Sequence, residues 1–153
     1  MNQIKYIWAD RATVESRLDE INELFGNFKG MVWTREQITC DLLGKWKTSI
    51  LLEKNGRIVA FSFNSIKDNR IHIHALFVAP EFRKEGLASK IITKLKEKEN
   101  QMDLSGLQLK VDSENKDAVL FYLSQGFKVV DEIYKENVGK LYVMELLHNK
   151  EKK

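Results

Sequence analysis

The chain has 153 residues, with 25 Lys and Arg against 22 Asp and Glu and a net charge of +3. Hydrophobic residues make up 43% and charged residues 31%, the balance of a soluble globular chain long enough to bury a core. So mild a charge argues against a nucleic-acid binder, and no apolar run approaches the roughly 20 residues that span a bilayer. Cys40 is the only cysteine, so no intrachain disulfide forms and a reducing compartment fits. The first ten residues lack the apolar core of a signal peptide, so a cytoplasmic protein is expected. One domain over residues 1–147 and a flexible polar tail over 148–153 are expected, with a homodimer as the expected assembly.

Ile4 to Trp8 reads as a first strand. Asp10 then caps a helix whose Val14, Leu18, Ile21 and Phe25 form one apolar stripe, stopping at Gly26 before a loop over 27–32. Thr34 and Gln37 form a capping box that opens a short helix with Ile38 and Leu42 inward, Cys40 within it as a half-buried filler, and Gly44 at its end. Strands Thr48 to Glu53 and Arg57 to Ser65 flank Asn55-Gly56, the strongest short hairpin signal. Asp68-Asn69 turns the chain into a strand from Ile71 to Val78, which Ala79-Pro80 ends, because proline cannot donate to a ladder.

Leu87, Ala88, Ile91, Ile92 and Leu95 recur at helical spacing, with Lys90, Lys94 and Lys98 on the other side. Between that strand and this helix lie Arg83-Lys84-Glu85-Gly86. Unpaired amides at a helix N-terminus suit a phosphate, and a glycine lets the backbone come close to it. The turn therefore points to a phosphorylated ligand. Leu107, Leu109 and Val111 alternate as a further strand, Asp112 to Asn115 opens a helix closing at Gly126, and Phe127 to Tyr134 and Lys140 to Leu147 form a last hairpin.

Arg83, Gly86 and Ala88, preceded by Leu76-Phe77-Val78-Ala79-Pro80, resemble the acyl-CoA-binding motif of the GCN5-related N-acetyltransferases, the GNAT superfamily. That family carries Arg or Gln, two residues, Gly, one residue, then Gly or Ala. Asn115-Lys116-Asp117-Ala118, Phe121-Tyr122 and Gln125-Gly126-Phe127 match its second motif, one strand later and at the same mutual spacing. The resemblance implies an α/β fold with a mixed, mostly antiparallel sheet of about seven strands, four helices and splayed central strands. It implies acetyl-CoA as cofactor, an amine acceptor as second substrate, direct transfer in a ternary complex, and no metal, membrane or nucleic-acid partner.

By the same resemblance the amides of Arg83, Lys84, Glu85, Gly86, Leu87, Ala88 and Ser89 hold the pyrophosphate, with Lys84 near its charge. Leu76, Phe77 and Val78 lie along the pantetheine arm, where the main chain of Leu76 and Val78 pairs with it and an N–H near Val78 faces the thioester oxygen. Asn115 bonds the arm or caps its helix. Tyr122 is the proton donor to the leaving thiolate. The base is expected among His72 and His74, where many relatives carry a glutamate; His148 in the tail is the weaker candidate. Lys110 stands where relatives acting on protein N-termini often carry a glutamate, which speaks against that substrate. The acceptor is expected between residues 25–33 and 134–142, with Phe28, Trp33 and Tyr134 as an aromatic wall. Two other classes compete: a non-catalytic acyl-CoA-binding module on the same fold, and a nucleotide-binding protein, which lacks the full P-loop or dinucleotide glycine pattern.

Overall fold

The computed structural model describes residues 3–26 and 33–147. In chain order the elements are β1 (Lys5–Trp8), α1 (Arg11–Ser16), α2 (Leu18–Phe25), α3 (Arg35–Thr39), α4 (Lys45–Thr48), β2 (Ile50–Lys54), β3 (Arg57–Lys67) and β4 (Arg70–Val78). A 3-10 turn (Pro80–Phe82) leads to α5 (Leu87–Gln101), β5 (Gly106–Asp112), α6 (Lys116–Ser124), β6 (Lys128–Lys135) and β7 (Gly139–Leu147). The strands form one seven-stranded sheet in the order β1-β2-β3-β4-β5-β7-β6, so the last hairpin enters with its second strand next to β5. Every neighbouring pair is antiparallel except β4 and β5, which α5 connects in parallel.

The expected four helices become six among the described residues. Asp10 does cap α1 through Thr13 N–H at 2.7 Å, but Arg17 leaves helical geometry and separates α1 from α2. Its guanidinium bonds Glu53 at 2.8 Å and the Gly56 carbonyl at 3.0 Å, which ties the break to the β2–β3 hairpin. The apolar stripe survives the break, because Val14, Leu18, Ile21 and Phe25 are all buried. Each such side chain fully removed from water contributes about 1.5–3 kcal/mol.

The Thr34–Gln37 capping box is present, but α3 ends at Thr39 and Cys40 is its extended, exposed C-cap rather than a filler inside a helix. Leu42, expected inward, is 40% exposed. Gly44 opens α4 instead of closing α3, at φ +71, where a Cβ would come within 2.5 Å of Ile66. Lys45, with no apolar signature, is fully buried.

Two cores sandwich the sheet. Ile71, Ile73, Ile91, Leu95, Leu107, Leu109 and Met144 pack between α5 and one face. Val14, Ile21, Phe25, Ile38, Leu51, Phe61, Phe63 and Phe77 pack between the first three helices and the other.

The splayed strands and the glycine turn

β4 and β5 pair over only three positions, Ile71–Leu107, His72–Gln108 and Ile73–Leu109. Beyond them β4 stays with β3 to Val78, and β5 stays with β7 to Asp112. A slot therefore opens between two parallel strands in the middle of the sheet. The main chain that lines it follows from strand alternation. Ala79 N–H bonds Val59 O at 2.8 Å across to β3, so Phe77 also faces β3 and the polar groups of Leu76 and Val78 face the slot. Phe77 leaves the expected cofactor set: its main chain faces β3 and its ring packs against Phe61 in the core, at 5.9 Å.

The register shifts between Phe63 and Asn64, leaving His74 without a partner on β3. This bulge places consecutive residues His74 and Ala75 on one face. His72, His74, Ala75 and Phe77 then lie on the side of the first helices, and Leu76 and Val78 on the side of α5. Simple alternation would have put His72, His74, Leu76 and Val78 together.

The slot ends at the turn before α5. Lys84 and Gly86 have φ of +74 and +76, and a Cβ on Gly86 would meet nothing within 4 Å. The first helical bond runs from Lys90 N–H to Gly86 O at 3.0 Å, so the amides of Leu87, Ala88 and Ser89 precede the helical ladder. Open space over Gly86, these amides and the positive end of a fifteen-residue helix fit a diphosphate. Arg83 is exposed but turned back, with Nε on Val78 O at 3.1 Å and its guanidinium over Phe77. Glu85 meets Lys54 at 3.5 Å, beside a surface cavity of about 410 Å³ that lies on the β1–β2 side of the turn and apart from the slot.

Tyr122 on α6 packs on the α5 side of the sheet, against Phe121 and Phe127 at 5.2 and 5.4 Å. Burial pushes its hydroxyl up to about 12, above the usual tyrosine range. Asn115 Oδ1 accepts from Ala118 N–H at 3.2 Å, so the cap is the role its geometry supports.

The two histidines lie across the sheet from Tyr122, their rings 4.6 Å apart. The sequence offered no sign of their partners. Gln108 Oε1 accepts from Arg70 at 3.1 Å, which turns Gln108 Nε2 toward His72 Nδ1 at 3.1 Å. Since arginine only donates, this orientation is forced, and His72 Nδ1 is an acceptor with its proton on Nε2. Burial first, then His74, Lys67 and Lys110, pushes His72 down to about 4. His74 is more exposed, shares a 2.7 Å hydrogen bond with Ser65 Oγ, and is lowered by burial and then by Lys67, Lys45 and Lys110.

A pH dependence follows from His72. Between its ordinary 6.5 and about 4, the unfolded chain binds a proton that the folded chain refuses. Stability is therefore lost as pH falls through that window, by on the order of 3 kcal/mol. Urea titrations at neutral pH and near pH 4.5 are expected to show the loss, and His72→Gln to reduce it. Equal sensitivity in both proteins would contradict the assignment.

Of the expected aromatic wall, Trp33 and Tyr134 are among the described residues. Trp33 stacks on Phe63 and Phe25 at 5.5 and 6.1 Å and lies 6.2 Å from His74, but Tyr134 is 82% exposed on the edge strand. Phe28, His148 and the 27–32 loop lie outside the described residues.

Among the described residues, a seven-stranded sheet splayed at its one parallel pair, with a glycine turn opening the helix that follows, is the architecture of an acyltransferase. Residues 19–148 match the family model of the acetyltransferase (GNAT) domain, and the chain belongs to that family. The fold superimposes on Ard1 from Thermoplasma volcanium with a TM-score of 0.81 at 19% identity, covering 94% of this chain and 97% of that one. It is similar to yncA of Salmonella typhimurium, solved with its cofactor acetyl-CoA, at 0.74 and 14% identity over 99% and 98% of the two chains. A mutant spermidine N-acetyltransferase SpeG from Vibrio cholerae matches at 0.72 and 17% identity over 95% and 94%. No curated protein matches the sequence.

Proposed function

We propose that the chain is an acetyl-CoA-dependent N-acetyltransferase, transferring the acetyl group to an amine by direct attack in a ternary complex. The observation that carries this reading is the slot: it joins the Gly86 turn to a gap in the sheet with Tyr122 on one face and His74 on the other.

Acetyl-CoA supplies the activated thioester. The amides from Arg83 to Ser89 hold its diphosphate, with Lys84 alongside. Leu76 and Val78 pair with the pantetheine arm as an added strand would, and Val78 N–H donates to the oxygen on which charge builds. His74, held by Ser65, takes the proton of the attacking amine, directly or through water; His72, kept neutral by burial and with Nδ1 engaged by Gln108, is the poorer base. The new C–N bond forms as the C–S bond breaks, and the thiolate leaves toward Tyr122.

Tyr122, whose hydroxyl burial pushes up to about 12, stays protonated and donates a hydrogen bond to the departing sulfur, and the same burial raises the thiolate that receives its proton. Tyr122→Phe is expected to lower kcat at least about tenfold with little change in KM for acetyl-CoA, the loss of one charge-assisted hydrogen bond. Thiol release on an amine panel measures this, and an unchanged kcat would remove the role. One feature favours the second reading, a non-catalytic acyl-CoA-binding module: position 110 carries a lysine and not a glutamate. Cofactor binding without thiol release on any amine would decide for it.

A further inference from the structure

Among the described residues, the sheet face that carries the histidines is covered by helices only as far as β4. The core beneath α1, α2 and α3 draws Leu51, Ile58, Phe61, Phe63 and Phe77 from β2, β3 and β4, and nothing from β5, β6 or β7. At that boundary the chain places cations. Strand alternation puts Lys67 on the same face as Phe63 and Ser65, and Lys110 on the same face as Gln108. Lys110 is the first residue of β5 past the last pair with β4, so it stands at the opening of the slot. Both lysines are exposed, and neither forms an ion pair among the described residues.

Of the carboxylates nearby, Glu145 is neutralised by Arg70 at 2.7 Å, whereas Asp112 and Asp68 keep their charge and have only neutral donors, Glu114 N–H at 2.9 Å and Gln108 Nε2 at 3.4 Å. Lys45, beneath Trp33, adds a third positive charge. Burial is the first cause of the lowered pKa of His74, and Lys67, Lys45 and Lys110 lower it further.

We propose that the acceptor is a small amine bearing an anionic group, a carboxylate or a phosphate, which docks on Lys110 and Lys67 while its nitrogen faces His74. The inference rests on the acetyltransferase reading and adds the chemistry of the substrate. A polyamine would bring a second ammonium to a rim that already exposes Lys67 and Lys110, with the buried Lys45 beneath it. The same positive field favours the unprotonated, nucleophilic form of the amine that enters.

The test compares kcat/KM for thiol release with four probes: L-glutamate, glucosamine 6-phosphate, benzylamine and spermidine. At least one anionic amine is expected to exceed benzylamine and spermidine by at least about tenfold, and its lead to shrink as salt rises from about 50 to about 500 mM. The better of the two separates carboxylate from phosphate. Lys110→Glu, and independently Lys67→Glu, are expected to shift the ratio toward spermidine. Equal or better turnover of spermidine or benzylamine, or ratios unchanged in both variants, overturns the inference alone. No acetyl-CoA binding by calorimetry, or binding without thiol release from any probe, overturns the acetyltransferase reading and the inference with it.

Discussion

Gly86→Glu is expected to weaken coenzyme A binding by at least about a hundredfold, roughly 2.7 kcal/mol, while the chain still folds. Two effects separate cleanly at this position. The backbone at φ +76 disfavours any side chain, at a cost of about 1–2 kcal/mol. The space above it is open, so a glutamate meets no packed neighbour and the core is untouched. Its carboxylate instead enters the place where the helix-start amides receive an anion, and like charge replaces attraction. Gly86→Ala keeps the backbone strain without the charge and is expected to lose far less affinity. Calorimetric titration with coenzyme A, beside a thermal melt, measures both. Unchanged affinity in Gly86→Glu would remove the diphosphate from this turn, and with it the proposed path of the cofactor.

Lys45→Met is expected to lower the free energy of unfolding by on the order of 3 kcal/mol. A lysine ammonium carries three donors, and Lys45 Nζ spends them on the carbonyls of Gln37, Ile38 and Cys40 at 3.1, 2.8 and 2.8 Å. These are the carbonyls at the C-terminal end of α3, so one buried side chain caps that helix. The same ammonium sits over the rings of Trp46, Trp33 and Phe63 at 4.7, 5.4 and 5.6 Å. Methionine preserves the volume of the stem and removes every one of these interactions. Urea unfolding followed by tryptophan fluorescence reads the difference, and a change below about 1 kcal/mol would show that water replaces the ammonium without loss. Because Trp33 stacks on Phe63 beside His74, the variant is also expected to disturb the acceptor side before the cofactor side.

Much of the fold was legible because its signals are local. Asn55-Gly56 makes its hairpin, Asp10 and Thr34 cap their helices, and the apolar periods of α2 and α5 are buried as read. The glycine turn was legible for the same reason: a left-handed residue before an apolar helical period is written in adjacent positions. Where sequence reading failed, the cause lay at a distance. Arg17 breaks a helix by bonding Glu53 and Gly56, across 36 and 39 positions. Nothing local marks Lys45 as buried, because only the folded chain gathers three carbonyls and three rings around it.

The candidate site divides along the same line. Which residue types stand at positions 72, 74, 86 and 122 belongs to the linear order, and the resemblance to the family's two motifs picks out Gly86 and Tyr122. Which side of the sheet each one serves does not. A one-residue bulge at His74 turns the histidines to one side and Leu76 and Val78 to the other, and Gln108, from a distant strand, sets the proton on His72. Strand register and cross-strand hydrogen bonds arise between segments far apart in the chain, so no local pattern encodes them, whereas caps, turns and periodicity are settled within a few residues by sterics and nearest-neighbour bonding.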